Sequence, residues 1–391
     1  MMDAGIMATG SPSIATGGLA ALAVYLGVVQ LLRFRRIRRL RNSLDAKEDC
    51  SEVVRQMAQL EFPFLMTKSL EFALFATYGV PSISKLLDKT GEFRKHVGKR
   101  YDDTDFILRE YLESGKDGDR GRTAMGRLNA IHSMYAKEIS NADMLFTLSQ
   151  FVTAPALWIN RYGWRRCTGF EKEALLARYG EMGRRMGIKG VDSWKTWQDA
   201  DDFQAAYAEE HFRFAASNTA IAGVTVDLFV SLVPSKALQS AARWGVYALI
   251  DPPLLKAFGF PTAPTLLQWF MKGSLWMRAL FIRFLLPPRP DFMAVRRTPL
   301  SGVAEGESSS DVLVKPVYDP FHDVQLGCLY YRDGYKIEDL GPATCPAGRL
   351  FEGLPSYTGK GGGGSGAVIC GADGTSPLAV NAAGKAKDKS I

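Results

Sequence analysis

Residues 126–151, GRLNAIHSMYAKEISNADMLFTLSQF, decide how the chain is read. Ala124, Leu128, Ile131 and Tyr135 recur at spacings of four, three and four, which is one face of an α-helix. His132, one of only four histidines, lies four residues after Leu128, so its imidazole projects from the edge of that apolar stripe. Arg127 precedes it, and Asn141 and Asp143 introduce a second apolar run over residues 144–152. Two readings of His132 are open on the residues alone. A neutral imidazole on an apolar helix can ligate haem iron or another metal centre; a buried imidazole with both nitrogens hydrogen-bonded is an ordinary core residue.

Outward from this stretch, helical spacing dominates. Residues 169–187 and 200–216 are amphipathic, the first with Glu171, Glu173, Arg178, Glu181 and Arg184 on its wet side. Residues 219–233 form a nearly continuous apolar run interrupted by Asp227, the pattern of a buried helix. Residues 275–286, LWMRALFIRFLL, are too short and too arginine-spaced to span a bilayer, and read either as core or as an apolar surface lying on a membrane. Upstream, residues 59–75 read as a core helix after Pro63, 77–84 as a turn, 84–99 and 105–113 as surface helices, and 114–122 as a loop. Residues 301–311 resemble a linker, and the chain from residue 359 is low in complexity, as disordered segments are. The expected fold is all-α. It has one large helical domain over residues 59–291 and a small irregular C-terminal section over 292–358.

The N-terminus adds a membrane element. After a tail of small residues, 1–13, residues 14–32 (IATGGLAALAVYLGVVQLL) carry no charge. At about 1.5 Å per residue they reach about 28 Å, enough to cross a hydrocarbon core. Six arginines follow between Arg33 and Arg41, whereas a secretory signal would place its charges first. This order predicts a single span with the body of the chain in the cytosol and residues 33–58 as a basic juxtamembrane segment and polar stalk. The same arginines account for most of the net charge of +7. No aromatic interleaving marks a nucleic-acid surface, so anionic lipid is the expected partner of that charge. Five cysteines, widely spaced and without a CxxC pair, argue against a disulfide framework, structural zinc and covalent haem attachment.

The chain has no GxGxxG, Walker loop, HExxH or GxSxG. Residues 165–169, RRCTG, satisfy the RxCxG core of haem-thiolate enzymes by chance, without the glycine and phenylalanine that should precede it, so Cys167 is not read as an iron ligand. His96 lies in the charged run FRKHVGKR and His322 in a DPFHD turn, both read as exposed. His211 shares a helical face with Tyr207 and Phe214 and is the rival to His132.

Several of these segments together resemble a known family. QLEFPF (59–64), FALFATYGVPSIS (72–84), the Arg127–His132–Ser133 segment, ADMLFTLSQF (142–151), LPPRP (286–290) and GYKIEDLGP (334–342) are similar to the endoplasmic-reticulum-bound oxygenases of fungal meroterpenoid pathways, of the mycophenolic acid type. Through them the chain is similar to the bacterial rubber oxygenases called latex clearing proteins. The resemblance covers roughly residues 59–291, with a weaker echo at 330–342. It implies a helical protein that holds haem b non-covalently and uses dioxygen to cleave a carbon–carbon double bond in an isoprenoid chain. It makes His132 the axial ligand and Arg127 a partner of a haem propionate or of bound oxygen. One position departs from the bacterial relatives: Ser149 stands where a histidine is expected, and if the iron ligand belonged there, His211 would be the next candidate.

The combined expectation is a membrane-anchored haem oxygenase of the endoplasmic reticulum, with a cytosol-facing catalytic domain and Arg127 and His132 at its centre. Its substrate would be a lipophilic, prenylated small molecule entering through residues 241–286, and any electron donor is unidentified. The alternatives are a membrane-tethered helical scaffold without catalysis, and a haem hydroxylase or peroxidase.

Overall fold

Prolines, glycines and side-chain caps set most of the helix ends. The computed structural model describes residues 14–115, 118–231, 233–298, 313–314, 330–331, 333–351, 353–358 and two short segments at 368–370 and 377–379. The expectations for the tail 1–13, the linker 301–311 and His322 lie outside the described residues, as does most of the chain from residue 359.

The first helices are α1 (Ile14–Arg33), α2 (Arg35–Ser43) and α3 (Cys50–Gln56). A π-turn at Met57–Glu61 follows, and then α4 (Pro63–Thr77) and α5 (Pro81–Thr90), both with proline in the first turn, where its missing N–H costs nothing. Gly91, at φ 71°, ends α5 in the left-handed conformation and starts α6 (Glu92–Glu113). The helices α7 (Asp119–Ser133) and α8 (Asn141–Tyr162) follow. Ser140 caps α8 by accepting from the Asp143 N–H. Capping boxes, Thr168 with Glu171 and Thr196 with Asp199, start α9 (Gly169–Arg185) and α10 (Trp197–His211). The last four helices are α11 (Ala216–Val230), α12 (Lys236–Leu249), α13 (Pro252–Phe258) and α14 (Thr265–Leu285). Among the described residues strand structure is confined to a three-residue antiparallel pair, Val368–Cys370 with Pro377–Ala379, and two isolated bridges. The fold is all-α.

The main core lies where α3, α4, α8 and α9 meet, with Val53, Leu65, Val152 and Leu175 fully enclosed. A second cluster gathers α11, α12 and α13 around Phe75 and Phe258. A third joins α6 and α7 to the C-terminal section through Phe106, Ile131, Tyr335 and Leu340.

Four local expectations change. The expected polar stalk is core, because Cys50, Val53, Val54 and Met57 pack against α9. Residues 92–113 form one helix, kinked at the exposed His96 and buried along Phe106, Ile107 and Tyr111, rather than two surface helices. Glu171 and Arg178 are buried rather than on a wet face: Glu171 pairs with Arg165 at 2.7 Å, and Arg178 stacks on Tyr111 and reaches its carbonyl. On α14 only Ala279 is buried: over residues 275–286 one face, with Leu275 and Ile282, packs on the core and the other is an exposed apolar surface, so the segment is part core and part surface rather than one or the other.

Candidate active site

The bundle encloses an apolar cavity of about 250 Å³ between α4, α5, α6, α7, α8 and α9. His132, in the last turn of α7, faces into it with Leu128 and Ile131 from the same helix. Opposite stand Met144, Leu148 and Phe151 of α8 and Met182 of α9. A second cavity of about 110 Å³ adjoins the first through Leu74, Tyr78, Phe93, Arg100 and Leu108, which line both. Together they reach the size at which pockets hold small molecules.

His132 is enclosed and faces the cavity. Its Nδ1 is sealed from solvent without a well-formed hydrogen bond. Burial, and then the charge of Arg100, push its imidazole down to about 4, and the Leu128 carbonyl one turn earlier raises its proton affinity only weakly. At neutral pH the ring is therefore uncharged, with lone-pair density available to an electrophile or a metal.

Arg100 is the residue that the sequence reading missed. It lines both cavities, its Nε is buried without a partner, and Phe93 lies 5.5 Å from its guanidinium carbon. No carboxylate pairs with it among the described residues. A signal was present: Phe93, Arg100, Thr104, Ile107 and Tyr111 repeat at helical spacing, which places Arg100 on the buried stripe of α6.

Arg127 goes elsewhere. It is 1% exposed and does not line either cavity. Its guanidinium donates to the carbonyls of Leu340, Cys345, Pro346 and Arg349, with Cys345 Sγ 3.3 Å from Nη1. Where the sequence reading expected Arg127 to meet a propionate or bound oxygen, its donors here clamp the C-terminal section to α7. That section in turn places Gly341 and Pro342 in the cavity wall. Lys99 donates to the Gly341 carbonyl at 2.7 Å, and Tyr335 to Glu110 at 2.6 Å.

The other candidates separate cleanly. Ser149 is buried on α8 but off the cavity face, its hydroxyl returned to the Phe146 carbonyl. A histidine at that position would not point at His132. His211 sits at the end of α10, partly exposed, stacked on Tyr207 at 3.9 Å and away from the cavity. Cys167 is buried, its thiol pushed up by desolvation, and also lies outside the cavity. Residues 241–286 contribute nothing to the cavity wall; Leu249, Ile250 and Leu254 line a separate cleft.

With the geometry in place, comparison with known proteins agrees. The family described as ER-bound oxygenase mpaB/B′/Rubber oxygenase, catalytic domain, matches residues 60–282. The chain belongs to this family. It is 28% identical over 375 residues to the ER-bound oxygenase mpaB′ of Penicillium brevicompactum, covering 83% of this chain and 86% of the relative. It is 30% identical over 297 residues to the ER-bound oxygenase mpaB of the same organism, covering 70% of this chain and 66% of the relative. A 35% match over 181 residues, 43% of this chain and 61% of the relative, reaches mpaB of Penicillium roqueforti. Membership makes the chain an oxygenase, and the matched span encloses His132, Arg100 and every cavity-lining helix. Among the described residues one helical stretch, Gly17–Ser43, is long and apolar enough to cross a membrane, and it lies outside that span.

Proposed function

We propose that this oxygenase is haem-dependent, is anchored in the endoplasmic-reticulum membrane by α1, and oxidises a lipophilic, isoprenoid-bearing small molecule, with His132 as the iron's protein ligand. The observation that carries this reading is the neutral imidazole of His132 turned into an apolar cavity, its Nδ1 met only weakly by the Leu128 carbonyl of its own helix. Histidine is the protein ligand of haem iron in several haem classes, and a ring pushed down to about 4 is neutral at physiological pH and free to bind metal without first losing a proton.

Haem b, held non-covalently, would supply an iron able to activate dioxygen, chemistry the side chains lack. The chain's own residues would do the rest. His132 would fix the group on one side. Arg100, carrying a charge without a counter-ion, would attract carboxylate or developing negative charge in a medium that screens little. Met144, Leu148, Phe151 and Met182 would exclude water and take up an isoprenoid chain by apolar contact. An apolar substrate concentrates in the bilayer, so tethering by α1 brings the cavity to it. The arginines that follow α1 favour a single span with the body in the cytosol. Scission of a double bond shortens the substrate and leaves carbonyls, whereas hydroxylation adds one oxygen; product mass separates the two, and adding candidate reductants decides the need for an electron donor.

The test is an absorption spectrum of the detergent-solubilised full chain with haem supplied, oxidised and then reduced, beside His132→Ala. An intense Soret band that the variant loses or shifts is the expected result. An unchanged band in His132→Ala would overturn the ligand assignment, and no band in the folded wild type would overturn haem dependence.

A further inference from the structure

The surface polarity of α14 is reversed. From Leu266 to Leu285 its exposed residues are Leu266, Trp269, Phe270, Trp276, Met277, Leu280, Phe281, Phe284 and Leu285, and Ser274 is the one exposed polar residue among them. Its three cations, Lys272, Arg278 and Arg283, are the half-buried residues instead. Arg278 stacks on Phe64 at 4.4 Å, and Arg283 donates to the Trp164 carbonyl at 3.5 Å. The inner face, through Leu267, Met271, Leu275, Ala279 and Ile282, packs on the core. A helix apolar on both sides, with five turns of aromatic and aliphatic side chains outward, is not built for water.

We propose that the outer face of α14 is a second membrane contact, lying in the plane of the cytosolic leaflet at the level of the acyl–headgroup boundary. Two observations favour lipid over another occupant. The exposed stripe runs into α1, whose own surface is apolar at Leu22, Val24, Val28 and Leu31. The C-terminal carbonyls of α14, which a soluble helix leaves to water, are taken by α1: Tyr25 donates to Leu285 at 2.7 Å, Gln30 to Arg283 at 2.7 Å, and Arg33 to Ile282 and Leu286. A helix end whose carbonyls are mostly taken by protein suits a water-poor environment. These bonds all fall on the second half of α1, which leads to the exposed Arg35, Arg38, Arg39 and Arg41, residues that suit anionic headgroups. The length of α14, 21 residues, and its three cations fit an in-plane helix rather than a span.

This inference rests on the reading of α1 as a membrane anchor, and one experiment separates the two. The full chain is reconstituted into phosphatidylcholine–phosphatidylserine vesicles whose acyl chains carry bromine at a shallow or a deep position. Tryptophan fluorescence is then compared for wild type and the Trp269→Phe/Trp276→Phe variant, with far-UV circular dichroism as the folding control. No tryptophan lies in α1, so bromine-dependent quenching reports the body of the chain. The expected result is quenching of the wild type, stronger with shallow than with deep bromines, and most of it lost in the double variant. Co-flotation without quenching would overturn the α14 contact while leaving the anchor in place, and a doubled cross-linked mass with it would assign the face to a second copy. Stronger deep quenching would overturn the in-plane placement, and quenching unchanged in the double variant would overturn the assignment to α14. Failure to float would overturn the anchor itself.

Discussion

Replacing Arg127 with Met should release the C-terminal section from α7 and leave the ligand of the cavity in place. The side chain donates to four backbone carbonyls, of Leu340, Cys345, Pro346 and Arg349. Hydrogen bonds to a charged donor contribute about 1.5–3 kcal/mol each, but the variant also removes the cost of burying a guanidinium, several kcal/mol on its own. The freed carbonyls regain water as the section loosens, and methionine refills the volume of the stem. A net loss of about 3 kcal/mol in local stability is the reasonable balance. At about tenfold per 1.4 kcal/mol, this lowers amide protection in the section by about 100-fold. Hydrogen exchange read by mass spectrometry measures it on the bonded amides of Cys345, Gly348 and Phe351, which pair with Pro342, Glu338 and Gly126. The haem spectrum of the variant should keep the wild-type band position. Unchanged protection over residues 335–351, or a spectral change matching that of His132→Ala, would refute the clamp and return Arg127 to the cofactor.

The remaining expectations concern the cavity. His132 has a folded pKa of about 4 against 6.5 unfolded, so between these values the unfolded chain binds the extra proton. The stability it contributes is complete above pH 6.5 and is lost as pH falls toward 4. The loss is about 3 kcal/mol in the cofactor-free protein. Chemical denaturation from pH 7 to 4.5 should show that slope reduced in His132→Phe, and equal slopes would contradict it. Gly341→Ala places a Cβ 2.5 Å from Ile131 Cδ1 at a backbone φ of 112°, and should cost about 1–3 kcal/mol. A melting temperature within error of wild type would show that the turn relaxes freely.

Much of this was legible in the residues, and the failures have physical causes. The His132 helix, the core after Pro63 and the apolar span at residues 14–32 follow from periodicity and from prolines at helix starts, and all appear in the structure. Burial of charge is what periodicity cannot see. Glu171, Arg178 and Arg100 look solvated in one dimension because their partners, Arg165, the Tyr111 carbonyl and Phe93, arrive from distant turns or other helices. The surface position of α14 is a similar case. An apolar helix reads alike whether protein or lipid covers it, and only its neighbours tell them apart.

Arg127 and His132, expected together at one centre, face different neighbours in the structure. Five residues at 3.6 per turn separate two side chains by about 140° around a helix, and on α7 that rotation turns Arg127 to the C-terminal section while His132 faces the cavity. Arg127 turns to the C-terminal section and His132 to the cavity, while Leu128 and Ile131 between them touch both. Ser149 on α8 is likewise turned from the cavity, its hydroxyl donating to the Phe146 carbonyl. The two faces of α7 are nevertheless linked. Gly341 and Pro342 wall the cavity only while Arg127, Lys99 and Tyr335 hold their section down, and that section lies beyond the family-matched span of 60–282. The matched span therefore carries the ligand and most of the wall, and the C-terminal section closes it. A substitution at Arg127 should alter how well the cavity is sealed from water, and one at His132 what the cavity can hold.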